Sequence, residues 1–328
     1  MKPRVTILVA AYNAASTLPR CLDSLLVEQT LRDIEVIAVD DCSTDHTLQL
    51  LTERAAADPR LHVLQTEHNS GQAVARNQAL AVAQGEFTCM VDADDWLSPD
   101  CLEQAVQIFD RHPRTDSVVL HLMQHFEDGS EEEYPLPRQL TEHTALTGTE
   151  AFELCIDSWQ LHGLYVVRTA LHKQYPFDTT TRLYSDDNTS RLHYLHSREV
   201  RLCPGIYHYR KHAASTTNAF HMHRFDFMEA QLSLLLTLKK ENVAPRLIKL
   251  FEGQRWYVFI SCYRLYLRHK AELSDADRKD LQARFRTILH TFRPSRLRLR
   301  YRWKPFYMLT TNVRLFDLQQ RLYMRIKG

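Results

Sequence analysis

The 328-residue chain has no run of the roughly 18 consecutive apolar residues that a membrane-crossing helix needs. Met1-Lys2-Pro3-Arg4 leads straight into a strand-like segment without the pattern of a cleaved leader, so the expectation is a cytoplasmic protein. It has no C-x-x-C pair. Its seven cysteines, Cys21, Cys42, Cys89, Cys101, Cys155, Cys203 and Cys262, are scattered and odd in number, which excludes a disulfide framework and a zinc cluster and predicts reduced thiols. No internal repeat and no low-complexity tract is present, and 44% hydrophobic residues suffice for a buried core with a smaller appendage. Net charge is also nearly absent, at +1, so the chain as a whole is not built for a nucleic-acid partner. That balance hides an asymmetry: residues 293–328 hold ten Lys/Arg against Asp317 alone, +9, leaving 31 basic and 39 acidic residues before them, −8.

What is there begins with alternation. Val5 to Ala10 is a β-branched run too short for a helix, and Leu18, Leu22, Leu25 and Leu26 then recur at helical spacing behind Ser16 as a cap. Ile34 to Val39, Leu61 to Thr66 and Phe87 to Val91 read as further strands. Between them lie a helix carrying Leu48, Leu51 and Ala55 behind Asp45, and an Ala-rich helix over 72–83 closed by Gly85. Such β/α alternation predicts a mostly parallel sheet with helices on both faces. A helix from Pro99 to Arg111 capped by Ser98, a strand from Ser117 to Leu122, an acidic loop or hairpin over 127–133, a helix over 150–159 and strands at 163–168 and around Tyr207-His208-Tyr209 follow. From about Arg224 the leucines and aromatics recur at helical spacing. The expected division is an α/β domain over 1–223, with a nucleotide-binding half 1–110 and an acceptor-side half 111–223, then a helical region 224–328 ending in the basic tail 293–328.

Open parallel sheets bind ligands beyond the carboxyl ends of their strands. Tyr12-Asn13, Asp40-Asp41 and Asp92-Ala93-Asp94-Asp95 all fall at such ends. Three aspartates within four residues repel one another and resist desolvation, and a hard divalent cation clamping a diphosphate would relieve both costs. A solvated acidic turn that caps the next helix is the alternative.

The ordered series Val9-Ala10-Ala11-Tyr12-Asn13, Val39-Asp40-Asp41-Cys42-Ser43-Thr44-Asp45, Asn69-Ser70-Gly71-Gln72-Ala73-Val74-Ala75-Arg76-Asn77 and Val91-Asp92-Ala93-Asp94-Asp95 resembles the family 2 inverting glycosyltransferases of the GT-A fold. Fainter continuation runs through Pro176-Phe177-Asp178, Ser185-Asp186-Asp187 and Tyr207 to Ser215, so the likeness spans about residues 4–218. It implies donor contacts from Ala10, Tyr12, Asp41, Arg76, Asp92 and Asp94, with Tyr12 near the base, Asp41 accepting from a base N–H and Arg76 on the diphosphate. It implies metal ligation by Asp94, Asp95 and His212, the cation being Mn²⁺ or Mg²⁺. Its general base corresponds to Asp187, with Asp186 beside it where relatives carry Glu, so the register is open by one residue. A core tyrosine, a helix-capping Asp41 or Asp187, a surface Arg76 and an ordinary surface or core His212 are the structural alternatives.

The implied activity is transfer of a sugar from a nucleotide diphosphate, UDP most often, to a hydroxyl of a glycan or lipid-linked acceptor. A nucleotidyltransferase would want a Gly-rich loop after the first strand, which Ala11-Tyr12-Asn13-Ala14-Ala15 lacks. A silent sugar-binding or membrane-surface module would have lost its acids, and all are present. In the tail, Arg296 to Trp303 alternates basic and apolar residues, and Leu315, Leu318, Leu322 and Ile326 form a helical stripe with Arg314, Arg321 and Lys327 on or near its polar flank. That pattern suits peripheral attachment to the inner face of an anionic membrane, or a brace against the −8 charge of the preceding residues.

Overall fold

The computed structural model describes residues 2–156, 159–211, 220–293, 306, 310 and 312–327. The chain divides into two compact units, Met1–Ala219 and Phe220–Gly328.

The first unit opens β1 (Val5–Ala11), α1 (Leu18–Leu26), β2 (Ile34–Asp40), α2 (Thr47–Ala57), β3 (Leu61–Gln65), α3 (Gln72–Val82) and β4 (Phe87–Met90). It continues β5 (Trp96–Leu97), α4 (Cys101–Arg111), β6 (Ser117–Phe126), β7 (Glu131–Glu133), β8 (Ala145–Leu146) and α5 (Gly148–Ile156). It closes with β9 (Tyr165–Arg168), α6 (Thr169–Gln174), α7 (Ser185–His196) and β10 (Val200–Lys211). The strands form one mixed, mostly parallel sheet in the order β3-β2-β1-β4-β9-β6-β10-β5, with β9 antiparallel to both its neighbours.

Period-two alternation sorts the side chains of β1 and β2 onto two faces. Val5, Ile7 and Val9 join Ile34, Val36 and Ala38 under Leu18, Leu22 and Leu25 of α1. Leu8, Ile37 and Val39 meet Ala73, Ala75, Ala79 and Leu80 of α3, whose small residues let that helix lie close to the sheet. Burial on both faces is why these strands read as unbroken apolar runs.

Local ends differ from the sequence expectation at several elements, three of them instructive. Thr17, not Ser16, stands at the start of α1, without a side-chain cap. Asp100 precedes α4, which begins two residues after Pro99. Gly85 does not cap α3, which ends at Val82; a Cβ there would lie 2.5 Å from the backbone nitrogen of Thr6, so the glycine is required by close approach to β1.

In the second unit a short 3₁₀ turn (Met222–Phe225) leads into α8 (Asp226–Lys240), α9 (Pro245–His269) and α10 (Asp275–Leu289); α11 (Val313–Lys327) follows. Its core is aromatic, built from Trp256, Phe259, Tyr263, Phe285 and Phe316. No described helix is long and apolar enough to cross a membrane. The alternating segment Arg296 to Trp303 lies outside the described residues.

Candidate functional site

At the carboxyl end of β2, Asp40 and Asp41 part to opposite faces. The Asp41 carboxylate, 3% exposed, accepts from Thr66 Oγ1 (2.8 Å), Ser70 N (2.8 Å) and Gly71 N (2.7 Å). It thereby satisfies orphan amides at the entry to α3, where Gly71 holds a φ of +89° that other residues rarely adopt. Asp40 is fully buried; one oxygen accepts from Ser43 N and Gln65 Nε2, both 3.2 Å, and the other, Oδ1, has no partner among the described residues.

Beyond β1 the loop is tied to the loop after β2. Asn13, with φ +49°, donates its backbone N–H to Ser43 Oγ (3.0 Å), and its side-chain oxygen accepts from Thr44 N (2.8 Å). Tyr12 projects from this loop at 48% exposure, so it is not a core tyrosine, while Ala10 packs partly buried against the α3 side of the sheet. Cys42, also at positive φ, is the one cysteine of the seven that is not buried.

Arg76, on the second turn of α3, is only 1% exposed, which rules out a surface role. Its Nη2 pairs with Asp92 Oδ1 and its guanidinium lies 5.4 Å from the centre of the Phe177 ring. The Phe177 backbone is pinned to α3 by two reciprocal 2.9 Å bonds with the Asn77 side chain. Burial works against charge on Arg76, but Asp92 and Asp186 outweigh it and hold the group cationic. Two of its nitrogens, Nε and Nη1, are buried without an acceptor among the described residues. A fork-shaped cation with unfilled donors is built for an anion that has more than one oxygen to offer.

Beside it, Asp92, Asp94 and Asp95 bring ligand oxygens within 4.8 Å of one another. Two groups of β10 hold the cluster in place. Tyr207 Oη donates to Asp95 Oδ2 (2.8 Å) and accepts from Asp92 N (3.1 Å). Arg210 donates its backbone N–H to Asp95 Oδ1 (2.8 Å) and its Nε to the Asp94 carbonyl (3.1 Å). Burial, then the charges of Asp92 and Asp94, push the Asp95 carboxyl well above the usual range, a cost that a counter-cation would relieve. Close-set hard oxygen donors with an excess of negative charge fit a divalent cation such as Mn²⁺ or Mg²⁺. His212 lies outside the described residues.

The second acidic pair opens α7 behind Tyr184, which sits at φ +68°. Burial raises the Asp187 carboxyl to about 7, with Arg191 opposing and Asp186 adding to the shift. Arg191, one turn on, is fully buried, stacks 4.3 Å from the Trp159 ring centre and has, among the described residues, no hydrogen-bond acceptor for any of its three guanidinium nitrogens. A carboxylate that titrates near neutrality can take a proton at working pH and pass it on.

The geometry thus brings Arg76, Asp92, Asp94, Asp95 and Asp186 into one electrostatic neighbourhood at the strand ends. The sequence of residues 6–165 matches the family described as Glycosyl transferase family 2. That segment belongs to this family. EpsH of Bacillus subtilis is 38% identical over 126 residues, 38% of this chain and 36% of EpsH. The succinoglycan biosynthesis protein ExoO of Rhizobium meliloti is 38% identical over 105 residues, 32% of this chain and 29% of ExoO. The match therefore spans about a third of the length of these relatives. Among solved structures, S. aureus TarS 1-349 in complex with UDP-GlcNAc aligns with a TM-score of 0.74 at 21% identity, over 99% of this chain and 92% of that one. The likeness establishes the fold: the family 2 segment sits in a GT-A-type α/β unit, followed by helices.

Asp40, Tyr207, Arg210 and Arg191 were not singled out as site residues from the sequence. Tyr207 and Arg210 did lie in a segment of the family likeness. Nothing local marks Arg191, because a buried arginine on a helix reads the same as a solvated one.

Proposed function

We propose that the chain is an inverting, divalent-metal-dependent glycosyltransferase that moves a sugar from a UDP-sugar to an acceptor hydroxyl in the assembly of a cell-surface polysaccharide or lipid-linked glycan. The carrying observation is Arg76: a buried cation with two unfilled donors beside three converging carboxylates, an arrangement that a metal-bound diphosphate would complete. The UDP-GlcNAc bound by TarS and the succinoglycan role in the name of ExoO support the donor class and the pathway class.

In this reading the exposed Tyr12 ring and Ala10 border the base. Asp41 fastens the loop and α3, and the unpaired Oδ1 of Asp40 is the acceptor left for a base N–H. Asp94 and Asp95, with Asp92 alongside and His212 from the segment after β10, hold the cation, which when bound offsets diphosphate charge. Arg76 places its free Nε–H and Nη1–H on the leaving diphosphate, stabilising charge as it develops. Asp187 receives the proton of the acceptor hydroxyl, and its raised pKa suits that task near neutral pH. Asp186 lies close enough to Arg76 to help keep it charged.

Calorimetric titration of UDP with Mn²⁺ and with EDTA tests the clamp, and a scan of UDP-sugars for metal-dependent hydrolysis identifies the donor. Affinity for UDP should fall at least tenfold in EDTA. Equal affinity in both would remove the cation from the site.

A further inference from the structure

The last helix of the second unit presents two apolar faces, and among the described residues only one has a partner. Phe316, 1% exposed, packs among Trp256 (ring centres 5.6 Å apart) and Tyr263 (4.9 Å). Gln320, fully buried, accepts from Arg264 Nε (2.9 Å), and Asp317 accepts from Tyr263 Oη (2.7 Å). These contacts dock α11 on the core. Leu315, Leu318, Leu322 and Ile326 nonetheless stand 55%, 63%, 48% and 60% exposed. At about 100° per residue they fall within about 80° of the helix circumference, a stripe along nearly its whole length of about 22 Å. Arg314, Arg321 and Arg325, all exposed, form the adjoining row. Four large aliphatic side chains aligned in water, after the core has been served by another face, mark a surface meant to be covered.

We infer that this face of α11 lies on an anionic lipid bilayer, with Leu315, Leu318, Leu322 and Ile326 entering the acyl boundary and the arginine row meeting phosphate headgroups. Charge selects the occupant: the arginines flank the stripe on one side, and residues 293–328 carry +9 overall, so an acidic apolar surface is complementary and a second copy of the same basic face is not. The inference stands independently of the sugar-transfer reading, and it would bring the chain to where a lipid-linked acceptor resides.

Flotation of the full chain with vesicles of phosphatidylcholine and phosphatidylglycerol, against phosphatidylcholine alone, tests it at low salt. The wild-type chain should float with the anionic vesicles only. The Leu318→Ser/Leu322→Ser double variant should lose at least tenfold in bound fraction, and Arg314→Gln/Arg325→Gln should lose several-fold. Because these side chains are exposed, melting temperature and UDP binding should not change, which separates lost attachment from lost folding and from any failure at the donor site. A wild-type chain that stays at the bottom of the gradient, or a double leucine variant that floats as well as wild type, overturns the inference. So does a wild-type dimer that the leucine substitutions convert to monomer without any vesicle binding, which would assign the face to self-association.

Discussion

Replacing Asp187 by Asn should make the protein more stable at pH 8, an outcome opposite to that expected of an ordinary helix-capping aspartate. In the fold its pKa is raised from 3.8 to about 7, chiefly by burial. The sign follows from linkage: a carboxyl harder to ionise in the fold than in the unfolded chain costs stability as pH rises. Below about pH 4 it is protonated in both states and costs nothing. Between about 4 and 7 the unfolded chain ionises first and the penalty grows, and above about 7 it is constant. At about 1.4 kcal/mol per pKa unit the full penalty is about 4 kcal/mol, and because the residue as a whole is only half-buried, solvent screening lowers the expected gain to about 2 kcal/mol. Asn mimics the neutral acid at every pH, so urea unfolding of wild type and variant should coincide near pH 4 and diverge toward pH 8, with Asn ahead. Position in the first turn of α7 would instead favour the charged form by about 0.3–1 kcal/mol through the helix dipole. If Asn is the less stable residue at pH 8, capping governs this position and the argument for a raised base fails.

The same variant should lose transfer activity by about 10²–10⁴-fold while UDP affinity stays within about threefold, because a base acts on the acceptor; an inactive Asp186→Asn with an active Asp187→Asn would shift the assignment by one residue. In the wild-type protein kcat/KM for the proposed transfer should climb with pH and level off above about 7 as Asp187 ionises, and a flat profile from pH 5 to 9 would exclude it as the base. Arg76→Met should weaken UDP binding by about tenfold or more, since hydrogen bonds to a charged group are each worth about 1.5–3 kcal/mol; calorimetric affinity equal to wild type would mean that its free nitrogens face no phosphate.

The first hundred residues were legible because their physics is local. Runs such as Ile34 to Val39 are buried on both faces, and Asp40, Asp41 and Asp92 each sit one or two residues past such a run. Elements defined by their partners were not legible. Trp96-Leu97 and Ala145-Leu146 become strands only because β10 lies alongside, and α6 has six residues. Pro204-Gly205 reads as a break, yet β10 runs through it by a register shift between Leu202 and Ile206. Within the site, residue types were visible but the division of labour was not. Asp40 and Asp41 are indistinguishable in sequence, and only the Ser70 and Gly71 amides show that the second is already committed. Burial of Arg76 and Arg191 likewise comes from the tertiary packing around their helices.

The distribution of thiols gives the loop beyond β2 a chemical address. Six of the seven cysteines are buried, and those at 21, 89, 101, 155, 203 and 262 have their thiols pushed up by burial, so they resist alkylation. Cys42 alone is partly open, one residue past Asp41 and next to the Ser43–Asn13 tie. A maleimide dye added to the native, unmutated chain would therefore label that loop selectively, and its fluorescence would track what happens between the ends of β1 and β2 with no engineered reporter.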